Sequence, residues 1–204
     1  MIAIPGRVSK LSVCLVLLAL FSPAKGATHD HAQQFKTERR KVRIPVKDFK
    51  LIDQNGKPFE LENLSRKVLV ISFSYTSCAD VCPLITAAAR QVQSGLTASE
   101  RANVHLLTIT TDPEIDSPRI LAAYAKRYGA EFSNWSFLTG PEVALKKVWK
   151  NFGVRVSRKG RGIVEHTPLT AVMDRHTQLR FVYIGPSPDP MVILADMRAL
   201  LAER

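Results

Sequence analysis

Two cysteines separated by three residues, Cys78 and Cys82 in the stretch SYTSCADVCPLITAAAR, have the types and spacing that could do chemistry. They stand where the apolar run VLVISFSY gives way to a helix-like segment. Pro83 disfavours a helical conformation for the residue before it, so we expect Cys82 at the mouth of that helix and Cys78 in the preceding loop. Unpaired amides and the helix dipole stabilise a thiolate there, and a thiolate is both a nucleophile and a soft metal ligand.

The spacing of the pair leaves three interpretations open. A thioredoxin redox pair has two intervening residues. Three intervening residues let both sulfur atoms point at one external atom, and they still permit a disulfide if the Cα atoms approach within about 7 Å. A purely structural disulfide is the least favoured interpretation, because so short a loop removes little chain entropy. Metal binding and dithiol chemistry both remain compatible with Cys78 and Cys82.

A third ligand would have to come from a histidine. Two thiolates satisfy Cu(I), whereas a site that also holds Cu(II) needs a harder donor such as imidazole. The candidates are His29, His31, His105, His166 and His176. His105 lies in a strand-like run and is expected to be a packing residue, and His176 falls at a polar turn, where it is expected to be solvated. His166 lies between SRKGRGIVE and TPLTAVMD, so we expect it in a loop from which it can reach the cysteines.

The first 26 residues have the order of a secretory signal. A basic start is followed by an apolar run from Leu11 to Phe21 and by small residues ending at Gly26. A membrane-spanning helix needs about 20 apolar residues, so cleavage after Gly26 is favoured over an uncleaved anchor. Cys14 would leave with this leader. We therefore expect an exported protein, in the periplasm or at the outer face of the inner membrane, where a thiol pair can be oxidised.

The chain is strongly basic, with a formal net charge of +11 over 204 residues, and its length suits one domain. The densest basic runs, KTERRKVR and RVSRKGRG, contain no interleaved aromatic residues. Nucleic acid is therefore not an expected partner. The charge indicates either a solvated face or an attraction to acidic partners or to the lipid head groups of a membrane surface.

The order of elements predicts the fold class. Residues 27–41 are polar without a period and are predicted to be a flexible lead-in. The segment KDFKLIDQNGKPFELENL predicts a hairpin with Asn55 and Gly56 at two positive-φ positions. Strands and helices then alternate, and LTAVMD and LRFVYIG close the sheet as an antiparallel pair before a last helix. This predicts, over residues 42–204, an α/β thioredoxin-like sandwich: an N-terminal β-hairpin and a central mixed β-sheet flanked by helices.

Four successive motifs resemble those of the Sco/SenC family of copper-handling proteins. They are VLVISFSYTSCADVCP, TITTDPEIDSPRILAAYAKRYG, WSFLTGPEVALKKVWKNFGV and VEHTPLTAVMDRHTQLRFVYIG, and the resemblance covers about residues 42 to 202. It implies a thioredoxin-like fold that binds one copper ion, Cu(I) or Cu(II), through Cys78, Cys82 and His166. The family's Asp-Pro-Glu-x-Asp-x-Pro segment corresponds to residues 112–118, which are expected to shape a loop near the site.

The resemblance favours a metallochaperone over an enzyme. It implies assembly of the binuclear copper centre of cytochrome c oxidase, with the subunit that carries this centre, or another copper or thiol client, as the partner. The alternative is a thiol-disulfide oxidoreductase that reduces a client's cysteines with Cys78 and Cys82 as its redox pair. A zinc enzyme is disfavoured because no acid or base residue is well placed. A peroxiredoxin-like peroxidase is disfavoured because Tyr75 stands where its usual threonine would.

The chain departs from the family pattern at two places, and its N-terminus offers one feature beyond that pattern. The turn RHTQ lacks the family's glycine, and the leader looks cleaved where many members are membrane-anchored. Cleavage after Gly26 would leave Ala27-Thr28-His29 at the new N-terminus. Its amine, two amides and imidazole form a possible second, square-planar Cu(II) site. An ordinary disordered tail is the favoured alternative.

Overall fold

The computed structural model describes residues 36–203, which contain ten strands and five α-helices. The strands are β1 (Glu38–Pro45), β2 (Lys50–Asp53), β3 (Pro58–Glu60), β4 (Val68–Ser74), β5 (Val104–Thr110), β6 (Trp135–Thr139), β7 (Val156–Gly160), β8 (Ile163–His166), β9 (Leu169–Met173) and β10 (Gln178–Ile184). The helices are α1 (Cys82–Ser94), α2 (Ala98–Asn103), α3 (Pro118–Arg127), α4 (Glu142–Asn151) and α5 (Pro190–Ala202), and a 3-10 turn spans Leu61–Leu64.

Eight strands form one mixed sheet in the order β1-β10-β9-β4-β5-β6-β2-β3. Strand β5 runs parallel to β4 and β6, while β9, β10 and β1 are antiparallel to their neighbours. Every residue of β4 and β5 is buried, because helices cover both faces of the sheet. One face packs against α1, α3 and α5, and the other packs against α4. The predicted fold class is therefore confirmed.

The β2–β3 hairpin is present, but the predicted turn geometry is wrong. Gly56 has a φ of +77°, whereas Asn55 is not among the residues with positive φ. The Asp53 carboxylate explains the difference, since it accepts the amides of Asn55 and Lys57 at 2.8 Å each. The Asp53 side chain thus provides hydrogen-bond acceptors for the amides of the turn, and only Gly56 adopts a left-handed conformation.

Ordered structure begins earlier than the polar lead-in predicted. Residues 38–41 belong to β1, which pairs with β10 at the edge of the sheet. The side chains of this strand are almost all exposed, so it carries no hydrophobic period and is held through its backbone. Arg39 also attaches it to α5, donating to both carboxylate oxygens of Asp196 at 2.6 Å.

The segment SRKGRGIVE is not the loop that its composition predicted. It forms most of a separate two-stranded sheet, β7–β8, whose last residue is His166. The strands are mostly exposed, so their sequence has no apolar alternation that would predict a strand. The histidine is thus delivered by a hairpin rather than by an irregular loop.

The predictions for the N-terminus concern residues outside the described part of the chain. These are the signal peptide at 1–26 with Cys14, the first part of the lead-in, and the Ala27-Thr28-His29 copper site. Within residues 36–203, no helix has both the length and the apolar character needed to cross a membrane.

Candidate metal and redox centre

The cysteine pair sits at the N-terminus of α1, as the sequence predicted. Cys82 is the first residue of the helix and its side chain is completely buried, whereas Cys78 lies half-buried in the loop after β4. The backbone amide of Cys82 points at the other residue of the pair and donates to Cys78 Sγ at 3.5 Å. Both cysteines are free thiols, so the structure presents the reduced pair.

The two thiols have opposite pKa shifts. A hydrogen bond from the Cys82 thiol, together with the backbone amides at the helix mouth, lowers the pKa of Cys78 to about 5. The same hydrogen bond and burial raise the pKa of Cys82, which keeps its proton. The pair therefore holds one proton near neutral pH and exposes a thiolate on Cys78, the state expected of a nucleophile or soft ligand at a helix N-terminus.

His166 faces the buried member of the pair. Its Nε2 atom lies 3.6 Å from Cys82 Sγ. Its Nδ1 atom lies 3.0 Å from the carbonyl oxygen of Thr167, which can only accept a hydrogen bond, so the ring proton belongs on Nδ1 and the Nε2 lone pair faces the sulfur. Burial lowers the pKa of His166 and keeps the imidazole neutral. A neutral ring oriented through its second nitrogen is the usual form of a metal-ligating histidine.

Tyr75 holds the other side of the imidazole. Its ring packs edge-on against His166, with centroids 5.8 Å apart and planes at 78°. Burial, and then the negative charge on Cys78, raise the pKa of Tyr75, so the side chain remains a neutral phenol. In the sequence, Tyr75 serves only as an argument against a peroxidase, and its packing against His166 could not be predicted.

The spacing of these groups can be tested against a metal site. Two ligands that share one ion, at about 2.0 to 2.3 Å each, lie roughly 3.5 Å from one another in tetrahedral geometry. The 3.6 Å between Cys82 Sγ and His166 Nε2 fits this requirement. Among residues 36–203, however, no three histidine, cysteine, aspartate or glutamate side chains already stand as a complete ligand set. The structure therefore places Cys78 beside Cys82 and Cys82 beside His166, but the three side chains do not surround a common point.

The acidic segment at 112–118 anchors the cysteine loop. The buried Asp116 carboxylate accepts the Thr76 hydroxyl at 2.5 Å and the Thr76 amide at 3.2 Å. It also accepts the Thr110 hydroxyl at 2.5 Å, which ties the loop to the end of β5. Ser117 occupies the N-cap position of α3. The expected loop-shaping role thus falls on Asp116.

Two other histidines behave as the sequence predicted. His105 is buried in β5, with Nε2 2.9 Å from Ser136 Oγ, and burial lowers its pKa to about 4. His176 is exposed in the turn between β9 and β10. Neither approaches the cysteines by any hydrogen bond in the described chain, while His29 and His31 lie outside it.

Comparison with known proteins gives a consistent family assignment. The family model described as SCO1/SenC matches residues 37–202. The SCO1 protein homolog of Bacillus subtilis is 38% identical over 95 residues, which are 47% of this chain and 49% of that protein. The aligned segment thus spans about half the length of that relative.

Two solved structures extend the likeness over the whole domain. BsSco, described as a member of the Sco family of cytochrome c oxidase assembly proteins with a disulfide switch, is 27% identical with a TM-score of 0.70, covering 81% of this chain and 98% of that one. Bradyrhizobium japonicum ScoI, solved with copper bound, is 28% identical with a TM-score of 0.64, covering 76% of this chain and 99% of that one.

Proposed function

The chain belongs to the SCO1/SenC family, and from this premise we propose that it is a copper metallochaperone. It binds one copper ion through Cys78, Cys82 and His166 and acts in assembly of the copper centre of cytochrome c oxidase. The observation that carries the proposal is the approach of His166 Nε2 to within 3.6 Å of Cys82 Sγ, at a pair of free thiols. The copper-bound structure of a similar protein and the assembly role of another support it.

The donor set suits a cargo that must be held and then released. Two soft thiolates bind Cu(I), and the neutral imidazole adds the harder donor that retains Cu(II). Cys78 is already a thiolate near neutral pH, while Cys82 releases its proton when a metal binds. Because Cys78 is only half-buried, a client's ligands can reach the site from its side.

The client and the location follow from the same proposal. The client is the oxidase subunit with the binuclear copper site, or another protein with a copper or thiol site. The leader-like start of the sequence supports export to the periplasm or the outer face of the inner membrane. The formal charge is +11 for the whole chain and +8 without the leader's Arg7, Lys10 and Lys25, and it supports contact with an acidic partner surface or with anionic lipid.

A second candidate is thiol-disulfide exchange with a client, and the asymmetry of the thiols favours it. The Cys78 thiolate attacks one sulfur of a client disulfide, forming a mixed disulfide and releasing the client's other sulfur as a thiolate. Cys82 then passes its proton to the released client thiolate and attacks Cys78 Sγ, which closes the Cys78–Cys82 disulfide and frees the reduced client. Two electrons pass from the protein to the client. Cys78 opens onto a groove of about 430 Å³, lined also by Pro83 and Tyr128, that can admit a client segment.

An anaerobic copper titration of the reduced protein tests the main proposal. Wild-type protein should take one equivalent of copper, and Cys78→Ser and Cys82→Ser should each abolish tight Cu(I) binding. His166→Ala should weaken Cu(II) binding. His176→Ala removes an exposed histidine of the hairpin turn and serves as the matched control with unchanged binding. Wild-type protein that takes up no copper but reduces a client disulfide would overturn the metallochaperone in favour of the second candidate.

A further inference from the structure

The hairpin that carries His166 is weakly held by apolar packing. Strands β7 and β8 form a sheet of their own, outside the eight-stranded sheet. Val164 is the one fully buried residue in the two strands, and Val156 is half-buried against the main core. Apart from the Tyr75 ring against the imidazole, little apolar packing fixes the hairpin, so polar contacts contribute strongly to where His166 lies.

Arg158 of β7 supplies two charged contacts. Its Nη1 atom donates to Asp112 Oδ1 at 2.9 Å and to Glu114 Oε2 at 2.6 Å. The Asp112 side chain is 0% exposed, and Arg158 is its only ion-pair partner in the part of the chain that the structure describes. A buried carboxylate without a partner is costly, so Asp112 holds Arg158, and with it β7, against the 112–116 loop.

The turn of the hairpin makes a second contact beside the cysteines. The Ser77 hydroxyl, next to Cys78, donates to the Gly162 carbonyl oxygen at 3.2 Å. Gly162 has a φ of +71°, and a Cβ there would lie 3.0 Å from Ile115 Cδ1 and 3.2 Å from Ser77 Oγ. Only glycine allows this approach without strain. The hairpin is thus held at its turn and along β7, both times against segments that border the site.

We propose that Arg158 is a positioning residue that determines whether His166 is available as a ligand. With the Arg158–Asp112 ion pair formed, the hairpin keeps the imidazole at Cys82 and the site offers two sulfur atoms and one nitrogen. With the pair broken, the hairpin is free to leave and the site offers the two sulfur atoms alone. This inference rests on the proposed function, that the site takes copper.

The first test needs no metal. Arg158→Met keeps the aliphatic stem but removes the charge, and Lys159→Met is the matched control, because Lys159 is the next residue of β7 and pairs with the exposed Glu165 at 3.1 Å. Amide hydrogen exchange of residues 156–166 in the metal-free protein is the readout. Arg158→Met should speed exchange there by about tenfold or more. Lys159→Met should leave the exchange unchanged.

The second test measures affinity for Cu(II) and Cu(I) ions separately. Losing the group that orients a ligating histidine typically weakens binding by about 10-fold to 100-fold, and we expect such a loss of Cu(II) affinity in Arg158→Met. Cu(I) affinity should not change, because two thiolates suffice for that ion. Lys159→Met should bind both ions like the wild type.

A double variant separates positioning from general loss of stability. Arg158→Met leaves the Asp112 charge buried and unpaired, whereas Arg158→Met with Asp112→Asn removes that charge as well. The double variant should recover the unfolding midpoint yet keep fast hairpin exchange and weak Cu(II) binding. Wild-type exchange and Cu(II) affinity in Arg158→Met, an equal loss in Lys159→Met, or recovery of Cu(II) binding in the double variant would each overturn the proposal. If the wild type bound no copper, the proposed function would fail, while the exchange measurement would still test the hairpin contact.

Discussion

The Nε2 atom of His166 lies 3.6 Å from the Sγ atom of Cys82, although 84 positions separate the two residues in the chain. Cys82 is fixed by the first turn of α1, while His166 arrives on the β7–β8 hairpin. The Cys82 sulfur is therefore held by the main fold, whereas the His166 nitrogen is held by the separate β7–β8 hairpin. This division of the site between two supports leads to specific expectations for variants.

Removing the imidazole should affect the two copper oxidation states differently. In His166→Ala we expect Cu(II) affinity to fall by at least about tenfold, because the harder donor is lost, and Cu(I) affinity to persist on the two thiolates. Competition titrations under anaerobic conditions measure both, with His176→Ala as the control. An equal fall for both ions would contradict a Cys₂His ligand set.

Alkylation of Cys78 should follow a low pKa. The thiolate is the reactive form, and the pKa of Cys78 is lowered to about 5, so its reaction with iodoacetamide should be independent of pH around neutrality and slow down as the pH falls through about 5. Cys82 should stay unmodified, because it is buried and its pKa is raised. Mass spectrometry of the peptides measures each site. An alkylation rate of Cys78 that still increases above pH 8 would contradict the lowered pKa of this thiol.

Asp116 should matter for stability and for the site together. Asp116→Ala removes the acceptor of the Thr76 amide and hydroxyl and of the Thr110 hydroxyl. We expect the free energy of unfolding to fall by about 1 to 3 kcal/mol, with weaker binding of both copper ions. Urea unfolding gives the first quantity. Ser117→Ala is the neighbouring control, since the Ser117 side chain makes no capping hydrogen bond. Unchanged stability in Asp116→Ala would show that the loop is held by other contacts.

Tyr75 should act on His166 mainly through its ring. Tyr75→Ala leaves one side of the His166 ring without packing, so we expect weaker Cu(II) binding with little change for Cu(I). Tyr75→Phe keeps the edge-on contact and loses the hydroxyl, which contacts Cys78 and the Val164 backbone, so it should retain most of the Cu(II) binding that Tyr75→Ala loses. A loss in Tyr75→Phe equal to that in Tyr75→Ala would assign the role to the hydroxyl instead.

The attachment of β1 should be measurable away from the site. Arg39→Met breaks the bidentate pair with Asp196, and because Arg39 is 41% exposed we expect a loss of only about 1 to 2 kcal/mol in the free energy of unfolding. Arg40→Met is the control, since Arg40 pairs with Glu38 on the open surface. Copper affinity should be unchanged in both. A loss of copper binding in Arg39→Met would mean that β1 influences the site.

The parts of the fold that the sequence predicted are those determined by local chemistry or by burial. The runs that become β4 and β5 are uniformly apolar, and Pro83 marks the mouth of α1. The β7–β8 hairpin could not be predicted in this way, because its strands are mostly exposed and it is held by Arg158 contacting Asp112, 46 positions away. Strand β1 could not be predicted either, because its side chains are mostly exposed and it is ordered by backbone pairing with β10.

The composition of β1 also bears on self-association. Its outer side has no strand partner among residues 36–203, so it presents free backbone groups of the kind that template further strands. Glu38 and four basic residues line this strand, and Pro45 ends it. Like-charged chains repel one another at such an edge, and proline cannot donate to a growing ladder. The rim of the sheet therefore disfavours open-ended stacking, and a concentrated solution of the domain should stay free of fibrils that grow from this side.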